Sequence, residues 1–483
     1  MTEQPQDRTH KATASESSSV PKLGLWDAVS IIVGIVVGTA IFKSPQWVFR
    51  NVGGPWEAIG IWAVGGILSL NGALCYAELA TTYPRSGGDY HYLTRAFGRW
   101  MGFLFGWAQL TVILTGSIAI MAYAFADYGM QLQQASASDT SLSLWLAVAA
   151  IVMLSVVNLL GLVVGKWVQN LLSVIKVVGL LGIFLAAVFC STRGSFAVGT
   201  EPINVNYGLA LVFVLYAFGG WNDAAFVAAE VRGQQRNLPL ALFLGVGIIT
   251  AIYLLVIVAY LVVLGFAGAC AESTPAAAVM QAFMGDAGRK VISGLVMVSA
   301  LGAINGLILT GARISAALGE DHALFAGLAG RGRRSGAPIT ALITQCAISV
   351  LLVLIVGLAT GRQGIDAVLK TIGSDALQWK DYGGGFEILV AGTAPVFWGF
   401  FLLTGISLFV LRWRDGDRPR PFRTPLYPVP PLIFCAMCLY MLYSSLTYAQ
   451  GLSILGLLPL AVGLPLYAIS QMVGRQRPSN SAR

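Results

Sequence analysis

The sequence predicts an all-α polytopic membrane protein with about 12 transmembrane helices. Of its 483 residues, 56% are hydrophobic and only 11% are charged, whereas soluble proteins carry about 25% charged residues. The apolar residues form long runs, and a run of about 20 residues crosses a bilayer as a helix. The short gaps between the runs hold most of the basic residues. A soluble fold is excluded, because a water-facing surface needs far more charge.

Twelve apolar runs are the candidate spans, and together they define one transmembrane domain from residue 21 to 472. They lie near residues 25–48, 56–82, 99–127, 143–163, 167–190, 206–230, 239–266, 290–318, 338–358, 386–411, 429–447 and 452–472. Residues 1–20 are polar and rich in Ser and Thr, which predicts a disordered tail. Residues 473–483 form a second tail. No cleavage pattern follows the first run, so we expect it to be retained as a span.

The placement of basic residues predicts the orientation of the chain. The net charge is +8, but the Lys and Arg residues concentrate in alternate gaps, as the positive-inside rule requires. The densest run is Arg412 to Arg423. An even number of spans then places both tails in the cytoplasm, in an integral protein of the plasma (inner) membrane. The lipid bilayer is the expected partner, and nucleic-acid binding is disfavoured.

Residue patterns that support catalysis or metal binding are missing from the sequence. Five of the six cysteines lie within or beside apolar runs, and Cys435 and Cys438 are read as small helix residues. No zinc-protease, Walker or nucleophile-elbow motif occurs. The segment Ser86-Gly-Gly-Asp89 lacks a second intramembrane Asp with which to form a catalytic dyad. We therefore predict that the chain is not an enzyme and uses no metal and no cofactor.

Glycines interrupt two of the predicted spans at corresponding places. Gly34 and Gly38 lie in the first span, and Gly219 and Gly220 lie in the sixth. Gly34 and Gly38 alone also fit a packing face between intact helices. The second pair favours discontinuous helices 1 and 6 in a 5+5 inverted repeat, with repeat one at 25–190, repeat two at 206–411, and helices eleven and twelve at 429–472. Breaks at mid-membrane free backbone groups, which then need partners in a polar cavity.

Several motifs, in order along nearly the whole chain, carry a resemblance to a known family. They are Gly38-Thr-Ala-Ile-Phe42 with Ser44-Pro45, Gly72-Ala-Leu-Cys-Tyr-Ala-Glu-Leu79, Ser86-Gly-Gly-Asp-Tyr90, Gly219-Gly-Trp-Asn222, Arg236-Asn-Leu-Pro239 and Arg420-Pro-Phe-Arg-Thr-Pro-Leu-Tyr-Pro428. With these motifs the sequence resembles the amino acid-polyamine-organocation (APC) superfamily, specifically the L-type amino acid transporters and their bacterial relatives. The resemblance implies the LeuT-type inverted-repeat fold and a central amino acid site between helices 1 and 6.

The resemblance also implies which groups bind substrate. The substrate carboxylate would meet the N–H groups of Thr39, Ala40 and Ile41, at the positive end of a half-helix. The substrate amino group would meet carbonyls near Val36, Tyr216, Ala217 and Gly219. Asn222 is a further expected substrate-binding residue. Tyr216 occupies the position of the family's aromatic gate, with ordinary core packing as the alternative.

Four residues bear on specificity. Thr39-Ala40 departs from the family's Gly-Ser-Gly, and the Cβ atom of Ala40 could narrow the range of substrates. Gly219 stands where relatives that prefer cations have an acid, which implies a neutral substrate. Asp223 has three possible roles: capping or structural pairing, which we favour, proton movement, or pairing with a cationic side chain.

Lys176 is the most informative charged residue because a lysine in mid-span is costly. It coincides with a lysine that family members carry near the sodium site of sodium-coupled relatives, which implies sodium independence. Lys176 is either a fixed cation that ties spans 1, 5 and 8 together or a proton carrier. The sequence does not decide between these roles.

The predicted function is secondary active transport of amino acids, expected to be neutral L-amino acids, by alternating access. The chain would work as a sodium-independent exchanger or as a proton symporter. A polyamine or amine transporter and a transporter-like amino acid sensor are the alternatives. No cysteine occurs between Tyr128 and Ser143, so no disulfide-linked heavy subunit is expected. The polar outer loop 359–385 is read as a solvated insertion, with a lid as the alternative.

Overall fold

The structure is a computed structural model, and helices make up nearly all of the part that it describes. It describes residues 23–84, 87–132, 140–190, 194–195, 205–223, 225, 231–272, 274–330, 338–371, 373, 376–377, 379 and 384–476. In the first half of the chain the helices are α1 (Leu25–Val36), α2 (Ala40–Phe49), α3 (Pro55–Thr82), α4 (Asp89–Phe97), α5 (Arg99–Ala108), α6 (Leu114–Leu132), α7 (Thr140–Leu159), α8 (Leu162–Phe189) and α9 (Tyr207–Ala217). In the second half they are α10 (Gln234–Ala271), α11 (Pro275–Met284), α12 (Asp286–Asp321), α13 (Ile339–Gly357), α14 (Ala359–Thr371), α15 (Gly385–Arg414), α16 (Val429–Ala449) and α17 (Ile454–Gln476).

The helices confirm the prediction of an all-α polytopic membrane protein. Within the described residues, ten helices are long and apolar enough to cross a membrane, and α1 with α2 forms an eleventh span that bends by 53°. A π-helical turn, Gln109–Ile113, joins α5 to α6 into the third span. The sixth predicted span is represented by α9, and most of its second half lies outside the described residues.

The predicted boundaries hold within a few residues, with some differences. α10 and α12 are longer than their predicted runs. Polar residues continue α12 at both ends and α10 at its amino end, and α10 runs on to Ala271 past Gly265, whose φ of +70° interrupts the regular helix. α17 extends to Gln476, four residues into the predicted second tail. The predicted first tail lies outside the described residues.

Two apolar cores divide the bundle. One core gathers α1, α2, α3, α9 and α10 around Trp62 and Tyr253. The other gathers α5, α6, α7, α12 and α13 around Phe103 and Ile304. Tyr216 packs against both cores. The two broken spans therefore pack mainly in the first core, and Ile35 and Tyr216 connect them to the second.

The loop predicted at 359–385 contains a helix of its own. In α14, Ile365 and Leu369 are buried while the opposite face is exposed. Asp366 accepts hydrogen bonds from the indole N–H of Trp379 at 2.9 Å and from the backbone N–H of Leu377 at 3.0 Å. The guanidinium of Arg362 stacks 5.6 Å from the centre of the Trp379 ring. The described part of this segment is thus folded rather than a simple solvated insertion.

Candidate functional site

The first break separates α1 from α2 at residues 37–39. Helix α1 ends at Val36, and the carbonyls at its end find partners on other spans. Val37 O and Gly38 O accept from the hydroxyl of Ser299 at 3.0 and 3.1 Å. The N–H groups of Thr39, Ala40 and Ile41 lie at the amino end of α2, where a helix offers no acceptor of its own. None of these three groups donates a backbone hydrogen bond within the described residues.

The second break follows α9 at Ala217. Gly219 N–H donates to Tyr216 O at 3.1 Å, and a single tight turn over residues 221–223 follows. Gly220 has a φ of +105°, and a Cβ atom there would lie 2.8 Å from a side-chain carbon of Ile35 on α1. Only glycine suits both the backbone conformation and this close approach. The second break is therefore packed directly against the first.

Tyr253, on α10, connects the two breaks. Its hydroxyl lies 3.0 Å from Val36 O and 3.0 Å from Ala217 O. Its ring is buried edge-on against Trp62 and Phe218, with centres 5.5 and 5.2 Å away. The single hydroxyl proton is thus shared between two of the carbonyls that were predicted to bind the substrate amino group. Val36 O also accepts from the N–H of Gly38 at 2.7 Å, whereas Ala217 O keeps a second lone pair.

Sequence reasoning did not find Tyr253 or Ser299. Neither residue lies at a break in its own span, and only the packing of α10 and α12 against α1 brings their hydroxyls to the freed carbonyls. A hydroxyl in an otherwise apolar span was the available signal, but such residues commonly bond to the carbonyl four residues earlier in their own helix.

Lys176 projects from α8 into the junction of three spans. It is 1% exposed, and its ammonium donates to Gly34 O at 2.6 Å. On its other side lies Gly302 of α12, where a Cβ atom would come within 2.6 Å of the lysine side chain. No described carboxylate forms an ion pair with it. The charge is instead placed at the carbonyl end of α1, where a cation is favoured.

Near Lys176, a network of hydrogen-bonded polar side chains lies between α1, α7, α8 and α12. Asn158 donates to Asn305 at 2.8 Å, and Asn305 donates to Gln169 at 3.0 Å. Ser173 donates to Ser30 O at 3.3 Å. Gly34 packs on this network, since a Cβ atom there would lie 2.2 Å from the amide nitrogen of Gln169. By contrast, a Cβ atom at Gly38 would meet nothing closer than 3.5 Å, so Gly38 is not sterically required.

Asn222 and Asp223 are buried just after the second break. The Asn222 amide donates to the Asp223 carboxylate at 3.3 Å, while its own oxygen has no partner among the described residues. The helix that Asp223 was predicted to cap lies almost wholly outside the described residues.

A cavity of about 850 Å³ leads from one end of the bundle to Tyr216. Lys43, Asp127 and Glu387 line it, and the Lys43 ammonium lies 2.9 Å from Asp127 and 4.0 Å from Glu387. The ring centres of Tyr216 and Phe386 lie 6.4 Å apart in an edge-to-face arrangement. The Lys43 ammonium lies 4.3 Å from the centre of the same Phe386 ring. Of the predicted substrate-binding residues, Tyr216 lines this cavity. The others are not among its lining residues: Val36, Thr39, Ala40, Ile41, Ala217, Gly219 and Asn222.

The opposite end of the bundle, called here the basic end, is closed by ion pairs. Glu78 is fully buried and accepts from Arg412 at 2.7 and 2.6 Å and from Arg420 at 3.3 Å. Asp415 accepts from Arg95 at 2.6 Å and from Tyr83 at 2.7 Å. The hydrogen bond from Arg95 lowers the pKa of Asp415. The structure therefore has a large cavity at one end and a cluster of ion pairs at the basic end.

Comparisons with known proteins agree with this geometry. The model of the amino acid permease family matches residues 23–468. The chain is 30% identical to the serine/threonine exchanger SteT of Bacillus subtilis, over 92% of this chain and 96% of that protein. It is 30% identical to the human large neutral amino acids transporter small subunit 2, over 92% of this chain and 79% of that protein. It is 29% identical to the human b(0,+)-type amino acid transporter 1, over 91% and 86%.

These matches confirm the resemblance drawn from the sequence motifs and the prediction of a transporter rather than an enzyme. The matched residues include both broken helices, Lys176 and the basic end. The chain therefore belongs to the amino acid permease family of the APC superfamily, and it is an integral membrane amino acid transporter.

Proposed function

We propose that this transporter moves neutral L-amino acids by alternating access and does not use sodium. The observation that carries the proposal is the pair of breaks in contact with each other. One break presents the N–H groups of Thr39, Ala40 and Ile41, and the other presents the carbonyls that end α9. Opposed helix ends of this kind match the two charges of a zwitterion. Gly219 adds no charge beside them, which favours a substrate with a neutral side chain.

Lys176 supports sodium independence. Its ammonium already neutralises the carbonyl end of α1 through Gly34 O, at 2.6 Å. A bound cation at this junction would face that ammonium at short range, and like charges repel strongly in a buried site. In this proposal Lys176 serves as the cation that holds α1 against α8 and α12.

Exchange and proton symport are both compatible with a buried lysine, and a pair of variants separates them. Lys176→Arg keeps a charge that cannot be deprotonated, whereas Lys176→Met removes it. If Lys176 is a fixed cation, the arginine variant retains more exchange than the methionine variant. If Lys176 carries the coupled proton, both variants lose uptake driven by a pH gradient, and exchange against internal amino acid persists.

Ala40 offers a test of the substrate range. Its side chain is 5% exposed at the first position of α2, beside the proposed carboxylate site. Ala40→Gly is expected to let bulkier amino acids compete for uptake. Ala28→Gly, at a fully buried position in α1, is the matched control and should leave the competition pattern unchanged. Equal patterns in both variants would remove Ala40 from the binding site.

Transport of an amine without a carboxylate is the second candidate. It is supported by Asp223, a buried carboxylate at the second break that could pair with a cation. The three N–H groups at the start of α2 would then have no anionic partner, so we favour the amino acid. Competition of labelled leucine and serine uptake by putrescine and by neutral amino acids distinguishes the two. Binding of amino acids without uptake would instead support a sensor.

We also expect the two tails to lie in the cytoplasm, in the inner membrane, and the chain to act without a disulfide-linked heavy subunit. The first expectation follows from the arginines of the basic end. The second follows from the missing cysteine between Tyr128 and Ser143. Labelling of a cysteine introduced in the 128–143 segment by an impermeant reagent tests the orientation.

A further inference from the structure

A second cavity, called here the groove, lies at the basic end and is separate from the breaks. It holds about 220 Å³, and every residue that lines it is apolar. Helix α3 contributes Leu74 and Ala77, helix α10 contributes Leu240 and Phe243, and the loop before α16 contributes Phe422 and Pro425. Leu240 and Phe243 are 39% and 52% exposed. On a membrane protein such an exposed apolar surface faces lipid.

The loop wall of the groove is fixed in place. The backbone N–H of Thr424 donates to the buried Glu78 carboxylate at 2.7 Å, and the Thr424 hydroxyl donates to Leu74 O at 3.2 Å. Glu78 is itself held by Arg412 and Arg420. Phe422 and Pro425 are therefore anchored against α3, because they lie two residues before and one residue after Thr424.

Two exposed arginines border this groove. Arg423 lies between the lining residues Phe422 and Pro425 along the chain, and its side chain is exposed. Arg236 is exposed three residues before Pro239, which also lines the groove, so both lie on one face of α10. Neither arginine forms an ion pair with a described residue. An apolar wall with a cationic rim matches an acyl chain attached to an anionic headgroup.

We propose that the groove binds one anionic phospholipid, with an acyl chain between α3 and α10 and the phosphate beside Arg236 and Arg423. Arginine recognises phosphate through two parallel hydrogen bonds. A basic residue at the membrane surface favours an anionic lipid by about fivefold in affinity. A zwitterionic choline headgroup would bring its own cation toward the same arginines, so the site distinguishes the two lipids by charge.

Native mass spectrometry of the full chain, titrated with phosphatidylglycerol and phosphatidylcholine of identical acyl chains, tests the proposal. The wild type should retain one phosphatidylglycerol more tightly than phosphatidylcholine. Arg423→Gln and Arg236→Gln should each weaken phosphatidylglycerol binding about fivefold, and the double variant should bind both lipids equally. Arg99→Gln, an exposed arginine outside the groove, is the matched control and should change nothing.

A substitution in the apolar lining of the groove tests whether an acyl chain binds there. Leu240→Trp fills the groove from an exposed position, so it should fold and should weaken the binding of both lipids. Inorganic phosphate should not compete, because it lacks the acyl chain. Equal affinity of the wild type for both lipids would overturn the proposal. Equal effects of the Arg423→Gln and Arg99→Gln variants on lipid binding would also overturn it. Both variants must elute from size-exclusion chromatography as a single monodisperse peak, which shows that they are folded.

Discussion

Removal of the Tyr253 hydroxyl is the most informative single change in the site. Tyr253→Phe keeps the ring between Trp62 and Phe218, so it creates no cavity. It removes the donor that lies 3.0 Å from Val36 O and from Ala217 O. Val36 O keeps the N–H of Gly38 at 2.7 Å, while Ala217 O then has no hydrogen-bond partner among the described residues. A lost buried hydrogen bond with one unsatisfied acceptor costs about 1–3 kcal/mol.

Thermal unfolding in detergent and uptake into proteoliposomes measure this effect together. We expect Tyr253→Phe to lower the apparent melting temperature by several degrees and to weaken substrate affinity, because the two breaks lose their shared contact. Tyr207→Phe is the matched control, since the Tyr207 hydroxyl bonds Glu57 at an exposed position, where such bonds contribute little. If both variants behave like the wild type, Tyr253 does not hold the breaks together.

Three further predictions follow from single contacts. Gly220→Ala should abolish uptake, because it adds strain at positive φ and a clash with α1, whereas Gly38→Ala should be tolerated; equal activity would contradict the packing of the breaks. Burial raises the pKa of Asp89 to about 7 from 3.8. Between about pH 4 and 7 the native state therefore holds a proton that the unfolded chain releases, so the free energy of unfolding should fall as pH rises through this range. Asp89→Asn should flatten that part of a melting-temperature profile, and an unchanged profile would rule Asp89 out as the source. Glu78→Gln should destabilise the protein by about 3–5 kcal/mol, because Arg412 loses its buried partner, and an unchanged denaturation midpoint would show that the ion pair does not lock the basic end.

The fold followed from the sequence because lipid imposes a simple rule on composition. A span must be apolar for about 20 residues and must satisfy its backbone internally. The runs of Leu, Val, Ile and Phe therefore revealed where helices lie, and Gly220 marked a true break. Gly38 was a weaker guide, since the chain unwinds beside it although a Cβ atom would fit there.

The partners of the breaks did not follow from the sequence because they come from distant spans. Tyr253 and Ser299 are separated from the first break by more than two hundred residues, and their roles depend on how α10 and α12 pack. Lys176 was found because a charge in mid-span is unusual, but its acceptor, Gly34 O, is a backbone atom that carries no residue signature.

Counterflow in proteoliposomes tests the central claim most directly. Uptake of a labelled neutral amino acid is measured into vesicles with and without internal amino acid, in sodium and in its absence. A zwitterion held between two helix breaks, with Lys176 in place of a bound cation, predicts uptake that internal amino acid stimulates and sodium leaves unchanged. A strict sodium requirement, or uptake of amines but not of amino acids, would contradict it.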